Sequence, residues 1–399
     1  MSTPTELYRN AIDLNRYSNA VARQIVVAYN DIIIDTVNRL RVVDELSAPV
    51  TAARLRSLLT QLKDSLGTWA GDATVLATGE LQGLALLQSE FVAEQLRRVL
   101  PAGVADMVQT VEISPQFARA VVTTDPTQIG VVTLSDDLQA AVTGAPQTYS
   151  LTAAQGSTIT LPNGQVLEKA FRGIATRQAE RFAQLVRTGL LAGQTTQDLI
   201  RQLIGNLEFG EPARNIRQIV AAGGQITAVA DNQVVALVRT SINQVANAAS
   251  QQVYEANQDI TKRYRYVATL DLRTSAICRA LDGQEFEYGK GPKPPQHFNC
   301  RSTTVPVIDY TGLGFDPPPP GRRASAEGPV PADMSYGEWL SKQPKETQAD
   351  VLGPEKVSYF TRLSKKYGPT RAMAKFVSDD GSELTLDELR LRYGKPTPD

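Results

Sequence analysis

The chain has 399 residues, of which 42% are hydrophobic and 21% charged, and its 41 basic residues nearly balance its 42 acidic ones. This composition excludes a disordered polypeptide and is typical of a globular protein with two or three cores. A formal net charge of −1 excludes an electrostatic sleeve for DNA, so any DNA contact must be local. We also expect a soluble, unexported protein, because we find no leader pattern at the start and no apolar run of membrane-spanning length.

The first region, residues 1–100, predicts a helical bundle. From residue 4 to 46 apolar positions recur at helical spacing without an intervening glycine or proline, which predicts one long helix or a broken pair. Thr51 can cap a second helix, and residues 80 to 100 predict a third helix that ends before Pro101.

Residues 101–165 differ from the helical region before them and predict a small strand-rich insert. Three short segments rich in β-branched residues are expected to be strands, at 108 to 113, 128 to 133 and 157 to 161. The pair Asn163-Gly164 follows the last of them and is typical of a hairpin turn.

Residues 166–310 predict a helical block that leads into a strand-and-loop module. Three helices are expected, at 169 to 191, after a cap at Thr195, and from 232 to about 257. Three strands are expected to follow, at 263 to 270, 284 to 288 and 302 to 308. An Asp282-Gly283 turn precedes the middle strand.

The last two segments are a linker and a small module. Residues 311–333 hold four consecutive prolines and few apolar residues, which predicts a stiff, extended linker. Residues 334–399 predict a helical module with a capped helix near Leu384. At roughly 65 residues it is marginal for independent stability, so we expect it to dock on another surface. The predicted fold class is therefore α+β, predominantly α-helical.

The C-terminal module also contains the best basic patch of the chain, in a window without acidic residues. Its members are Arg362, Lys365, Lys366, Arg371 and Lys375. A solvated helix face explains such charges, and the alternative is contact with phosphate groups or an acidic partner.

Both cysteines and the single histidine of the chain lie in one stretch, as Cys278, His297 and Cys300. Thiolate and imidazole are the side chains that bind zinc, and Asp271, Asp282 or a water molecule could supply a fourth ligand. Two alternatives are a metal-free loop held by hydrogen bonds and a disulfide between the cysteines, which a reducing cytoplasm opposes.

An ordered set of residues surrounds these three. It comprises Asp271, Arg273, Thr274, Cys278, Arg279, Asp282, Gly283, Pro294, Pro295, His297, Asn299, Cys300 and Arg301. This pattern resembles the signature of the phage Mu protein F-like head-morphogenesis family. The segment around Arg239 and Thr240 is similar to the helix that precedes the signature in that family, so the resemblance covers roughly residues 165 to 310. Many members carry a further cysteine where this chain has Ser302.

The resemblance implies a non-enzymatic minor head protein of a tailed bacteriophage. It would be assembled in the host cytoplasm and located in the virion, at the portal vertex inside the capsid. It would act in head morphogenesis or in DNA packaging and ejection, with the portal protein and capsid or scaffold proteins as partners and no membrane contact. The N-terminal helices would offer apolar stripes to a partner, and the linker would let the C-terminal module reach a second site.

Two other functions compete with this interpretation. Glu285 and Glu287 have the spacing of the paired glutamates of ADP-ribosyltransferases, which would make the chain a virion-delivered toxin, although alternating charges on a strand also explain them. The second alternative is a purely structural zinc-binding module. A single histidine rules out a two-histidine zinc protease, and Asn299 occupies the position where a zinc deaminase requires glutamate.

Overall fold

The computed structural model describes residues 3–45, 52–113, 167–192, 194–204, 226–319, 321–378 and 381–395. Long helices dominate these residues, and two small antiparallel sheets accompany them, so the predicted helical α+β class is confirmed. The strands expected at 128 to 133 and 157 to 161, and the turn at Asn163-Gly164, lie outside the described residues. Among the described helices, none combines the length and apolar character needed to cross a membrane.

The first half of the structure is helical. It contains α1 (Thr3–Glu45), α2 (Ala52–Val99), α3 (Ala102–Ala105), α4 (Leu167–Leu191), α5 (Thr196–Ile204) and α6 (Thr227–Ala256). Of the two alternatives predicted from residue 4, one long helix or a broken pair, the structure contains the single long helix α1. Helix α6 begins a few residues before its predicted start. The cap predicted at Thr195 is present, because its hydroxyl accepts a hydrogen bond from the Asp198 N–H at 3.1 Å.

The main hydrophobic core lies where α1, α2, α4 and α6 pack together. At its centre the Trp69 ring meets Tyr29 edge-on at 5.2 Å and Phe171 at 5.9 Å between ring centroids. The indole N–H of Trp69 also donates to the Ile25 carbonyl at 3.0 Å. The apolar stripe of α1, expected to face a partner protein, is therefore largely buried inside this core.

Helix α2 corrects the prediction of separate second and third helices. It continues through Gly67, Gly71, Gly79 and Gly83, each of which costs about 1 kcal/mol relative to alanine in a helix interior. On the side of α2 opposite these glycines, an uninterrupted apolar stripe runs from Leu62 through Trp69 and Ala77 to Leu84. All of this stripe is buried. Burial of that stripe against α1, α4 and α6 outweighs the low helix propensity of the glycines.

The strand expected at 108 to 113 is wrong, because these residues form irregular structure. Their backbone groups bind side chains instead of a neighbouring strand. Asn257 accepts from the Gln109 N–H at 2.7 Å and donates to the Gln109 carbonyl at 3.1 Å. Arg97 donates to the Val108 carbonyl at 3.1 Å and Ser89 to the Val111 carbonyl at 3.2 Å.

The strand-and-loop module is a three-stranded antiparallel sheet in the order β2-β1-β3. Its strands are β1 (Thr261–Val267), β2 (Glu285–Glu287) and β3 (Thr303–Ile308), which confirms the three predicted strands. Short helix α7 (Ala276–Leu281) lies in the connection from β1 to β2. In the sheet register, Tyr264 at the centre of β1 lies opposite Phe286 and Pro306.

The extended linker expected over residues 311–333 is not what the structure contains from residue 321 onward. There β4 (Arg322–Ser325) and β5 (Gly328–Pro331) form a hairpin that packs against α1. The Tyr8 hydroxyl donates to the Ala332 carbonyl at 3.2 Å, and the Arg322 N–H donates to the Thr5 hydroxyl at 3.0 Å. Composition could not predict this, because the contacts join residues that are 324 and 317 positions apart in the chain.

The C-terminal module is helical, as predicted. It contains α8 (Tyr336–Ser341), α9 (Lys345–Leu352), α10 (Pro354–Tyr367), α11 (Pro369–Ala374) and α12 (Leu386–Tyr393). Capping boxes at Ser335 and Thr385 begin the first and last of these helices. The module has its own core around Trp339 and Phe360, and α11 packs against α7. The surface on which it was expected to dock is thus part of the same chain.

A buried polar cluster lies between α1 and α6. Asp231 is fully buried, and neither carboxylate oxygen has a hydrogen-bond partner among the described residues. Burial raises the pKa of Asp231 to about 8, and the nearby Asn30 side chain only weakly opposes this shift. The carboxyl group is therefore protonated in the folded protein at neutral pH.

We predict that alanine at Gly79 or Gly83 stabilises the protein by about 0.5–1 kcal/mol each, because alanine has the higher helix propensity. A Cβ at either position meets no heavy atom within 4 Å. Chemical denaturation measures the change. Gly337→Ala is the opposite control, since its Cβ would lie 2.2 Å from the Pro369 carbonyl oxygen and must destabilise the protein. Destabilisation by both Gly79→Ala and Gly83→Ala would contradict the conclusion that the space around these two glycines is open.

We further predict that Asp231→Asn stabilises the protein at pH 7.5 and has little effect at pH 4. The folded-state pKa of Asp231, about 8, lies above the unfolded value near 3.8, so the unfolded state releases this proton first as the pH rises. Stability is therefore lost between these two values, by roughly 4 kcal/mol at neutral pH, and asparagine removes that loss.

Thermal unfolding at several pH values tests this expectation. Asp72→Asn, at an exposed position of α2, is the matched control and should not change the pH profile. Equal effects of Asp231→Asn at pH 4 and pH 7.5 would contradict the raised pKa assigned to Asp231.

Candidate functional site

The site is built on the sheet and on α7. Ser275 caps α7 by accepting a hydrogen bond from the Cys278 N–H, which places the Cys278 side chain in the interior. His297 and Cys300 belong to the loop that returns from β2 to β3. This loop contains Pro294 and Pro295, which are joined by a cis peptide bond and are both buried.

Cys278, His297 and Cys300 come together, as their spacing predicted. Their ligand atoms all lie within 4.8 Å of one another. The two sulfurs are 3.8 Å apart, and Cys278 Sγ is 3.4 Å from His297 Nε2. Both cysteines are unpaired thiols and almost fully buried, whereas His297 is half-buried.

The electrostatics of the three side chains are coupled. Burial raises the pKa of the Cys278 thiol well above its usual value. Burial acts the same way on Cys300, but hydrogen bonds from Cys278 and His297 outweigh it and hold the pKa of Cys300 well below the usual range. Burial would lower the pKa of His297, but its interaction with Cys300 raises it. The three side chains therefore titrate as a coupled group, in which Cys300 is the more acidic of the two thiols.

Asp271 does not join the cluster. It accepts two hydrogen bonds from the Arg301 guanidinium, at 2.5 and 2.9 Å, and others from the Arg273 N–H and the Thr274 hydroxyl. Burial would raise the pKa of Asp271, but Arg301 outweighs this effect and lowers it. Asp271 therefore acts as a partner of Arg301, while the Arg273 side chain is exposed.

Asp282 is the most completely paired acid of the site. Its side chain is fully buried and accepts hydrogen bonds from Arg323 at 3.0 and 3.1 Å and from the backbone N–H groups of Ala268 and Tyr336, both at 2.6 Å. Arg323 also donates to the carbonyls of Ala268 and Met334. The next residue, Gly283, has φ +80°, a conformation that favours glycine.

Arg279 joins the site to the C-terminal module. Its guanidinium donates to the Val351 carbonyl at 2.6 Å and pairs with Glu383 at 3.0 Å. The Arg279 side chain is 5% exposed, so these bonds are shielded from solvent. This signature arginine therefore holds α7 against the C-terminal module.

The helix segment around Arg239 meets the signature at Asn299. Arg239 donates to the Asn299 side chain at 3.0 Å, and the Thr240 hydroxyl accepts from the Asn299 N–H at 2.9 Å. Asn299 has φ +60°, so these contacts hold a strained turn next to His297. A second bond from Arg239, to Asn19 at 2.8 Å, connects the turn to α1.

Two clefts lie beside the site. The larger, of about 250 Å³, is bordered by α1, the segment after β1 and the β4–β5 hairpin, with Asp271 and Arg301 in its wall. The smaller, of about 20 Å³, is lined by Asn15, Arg239 and Cys300 among others and has room for about one water molecule.

Comparison with known proteins agrees with this arrangement. Residues 180–305 match the model of the family described as Phage Mu protein F like protein. The chain carries a phage Mu protein F-like domain. No curated protein and no solved structure matches the chain. The match supports a structural phage protein of head morphogenesis and confirms the resemblance seen in the sequence.

The Mu F-like domain contains Glu285 and Glu287, the pair considered for ADP-ribosyltransfer. Both are exposed on β2, where Glu285 pairs with Arg265 at 2.7 Å and Glu287 with Lys290 at 2.8 Å. Neither lines the two clefts beside the site. The arrangement is that of alternating charges on an edge strand, and the family match is consistent with a protein that is not an enzyme.

The residues of the predicted basic patch, which lie outside the Mu F-like domain, differ in their contacts. Arg362 donates to the carbonyls of Tyr393, Gly394 and Lys395 and therefore closes the end of α12. Lys366 and Lys375 lie over the ring of Tyr367, at 5.0 and 4.5 Å from its centroid. Lys365 and Arg371 are exposed.

The sequence did not point to several residues that support the Mu F-like domain. Arg323 lies outside the signature, in a segment rich in proline. Its only signal in the sequence is that it stands next to a second basic residue, Arg322, among uncharged neighbours. Ser275 and Tyr266 contact the cluster, with the Ser275 hydroxyl 2.8 Å from His297 Nε2 and the Tyr266 hydroxyl 3.3 Å from Cys278 Sγ. Serine before a short helix is a capping signal.

We predict that Asp282→Ala destabilises the protein by about 3–5 kcal/mol, because it leaves the buried Arg323 without its partner. Arg323→Lys keeps the charge but loses the bidentate geometry, so its effect should be smaller. Urea denaturation measures both changes.

Glu285→Ala is the control for this pair, because it removes a carboxylate from a more exposed ion pair worth about 0.2–1 kcal/mol. Similar losses for Asp282→Ala and Glu285→Ala would contradict a dominant role of the buried pair.

Proposed function

We propose that this chain is a minor head protein of a tailed bacteriophage that docks at the portal vertex inside the capsid. Its role would lie in head morphogenesis or in packaging and ejection of DNA. The match of residues 180–305 to the Phage Mu protein F like family is the observation that carries the proposal. Among the described residues, Glu285 and Glu287 line neither of the two clefts beside the site. This observation favours docking over ADP-ribosyltransfer.

The mode of docking differs from the one that the sequence predicted. A stiff, extended linker would have let the C-terminal module reach a second site, but the buried pair of Asp282 and Arg323 and the bonds of Arg279 hold that module on the Mu F-like domain. We therefore propose that the two modules present one rigid surface to the portal.

Helix α2 carries the best candidate for the contacting surface. On its outer side Gly71, Val75, Gly79, Gly83 and Leu87 follow each other at intervals of four residues, the spacing of a ridge on a helix. Val75 is 74% exposed and Leu87 67% exposed. The glycines form a shallow groove between these two apolar side chains, into which a helix of the portal protein could pack closely.

A local contact with packaged DNA is proposed for the C-terminal module. Lys366 and Lys375 place two ammonium groups around Tyr367, and exposed Lys365 and Arg371 lie near them in sequence. Ammonium groups bind phosphates without reading base sequence, which fits a protein that meets DNA of any sequence.

Co-expression with the portal protein of the same phage tests the proposal. Size-exclusion chromatography and native mass spectrometry should detect a complex of defined stoichiometry. Gly79→Leu and Gly83→Leu should weaken this complex at least about tenfold, because they fill the groove, while the free protein stays folded. Ser358→Leu, which adds the same bulk to an exposed position of α10, is the matched control.

Two outcomes separate the parts of this proposal. A wild-type protein that remains a monomer with portal present would overturn docking itself. A stable complex that tolerates both leucine variants would retain docking but exclude the α2 surface.

A further inference from the structure

The distances between the cysteine and histidine ligand atoms match those around a bound zinc ion. With bonds of about 2.3 Å to sulfur and about 2.0 Å to nitrogen at tetrahedral angles, zinc holds two sulfurs about 3.8 Å apart and sulfur from nitrogen about 3.5 Å. The observed separations are 3.8 Å between Cys278 and Cys300 and 3.4 Å between Cys278 and His297. The remaining pair, Cys300 and His297, is at most 4.8 Å apart.

The imidazole is oriented as a metal ligand. His297 Nδ1 lies 2.8 Å from the Phe298 carbonyl, which requires the proton on Nδ1 and leaves the Nε2 lone pair pointing toward Cys278. Zinc-binding histidines commonly donate their second N–H to a carbonyl in this way, which fixes the tautomer and the ring orientation.

The nearby acids leave the fourth position to solvent. Asp271 is held by Arg301 and Asp282 by Arg323, so neither carboxylate faces the cluster. The remaining neighbour is the Ser275 hydroxyl, 2.8 Å from His297 Nε2, and hydroxyl groups are not usual zinc ligands. The exposed side of His297 gives water access to this position.

Charge balance favours a cation in the same place. Zinc deprotonates the thiols that it coordinates, and its two positive charges balance the two thiolates in this buried position. Cys278 and Cys300 are each 1% exposed.

We infer that Cys278, His297 and Cys300 bind one zinc ion, with a water molecule near Ser275 as the fourth ligand. The ion joins the start of α7 to the 297–300 turn, which Arg239 and Thr240 attach to α6. Its role is structural: it fixes this turn between the sheet and α6. The inference does not depend on docking to the portal.

Metal analysis of the full-length protein is the first test. Protein purified under reducing conditions, stripped with a chelator and reconstituted with zinc should contain one zinc ion per chain, and chelator should lower the melting temperature. Wild-type protein that takes up no zinc, or that forms a Cys278–Cys300 disulfide in the presence of zinc and reductant, would overturn the inference.

Cobalt substitution locates the ion. The chain contains only these two cysteines and this histidine, so a thiolate-to-cobalt charge-transfer band can arise only here. Cys278→Ser and Cys300→Ser should each remove about half of that band and weaken binding by more than about 100-fold, since changes to residues that only hydrogen-bond a metal ligand already cost about 10–100-fold. His297→Ala should shift the visible cobalt bands.

Glu285→Ala, at an exposed position of β2 outside the cluster, is the matched control and should keep one metal ion per chain. Circular dichroism confirms that each variant is folded, and the wild-type measurement stands even if a variant is not. Full zinc content in the double variant Cys278→Ser/Cys300→Ser would place the ion elsewhere and refute the assignment.

Discussion

The fold depends on the buried ion pair between Asp282 and Arg323. A carboxylate without solvent exposure is costly unless each of its oxygens is hydrogen-bonded, and here four donors from three segments meet that requirement. The pair joins the end of β1, the end of α7 and the start of α8. As a result α7, which carries Cys278 and Arg279, is fixed at its C-terminal end by Asp282 and at its N-terminal end by the Ser275 cap.

Much of the fold could be predicted from the sequence because local signals agreed with the tertiary structure. The unbroken periodicity around Tyr29 predicted α1, and β-branched alternation predicted β1 and β3. The failures have a common cause, since tertiary contacts outweighed local preference. Separate second and third helices were predicted, but a buried stripe that includes Trp69 and Leu84 keeps α2 continuous across its glycines. Asn257 replaced the strand partner that Gln109 would have needed.

The candidate site was partly visible in the sequence. Clustering of the only cysteines and histidine indicated where to look, and the structure brings Cys278, His297 and Cys300 together. The same reasoning could not assign Asp271, because a carboxylate beside a possible metal and a carboxylate beside an arginine look alike in sequence. Arg323 could not be found at all, because its partner Asp282 lies 41 residues away and no local pattern connects them.

The hydrogen bond between the Tyr8 hydroxyl and the Ala332 carbonyl affects the order in which the chain matures on the ribosome. The two residues are 324 positions apart, so at bacterial synthesis rates α1 waits roughly 15–65 s before the hairpin that covers its first turns has emerged. During that interval Leu7 and Tyr8, both buried in the finished protein, are accessible to chaperones and to neighbouring nascent chains. Completion of the N-terminal end of the molecule is thus a late event, delayed until most of the polypeptide has been translated.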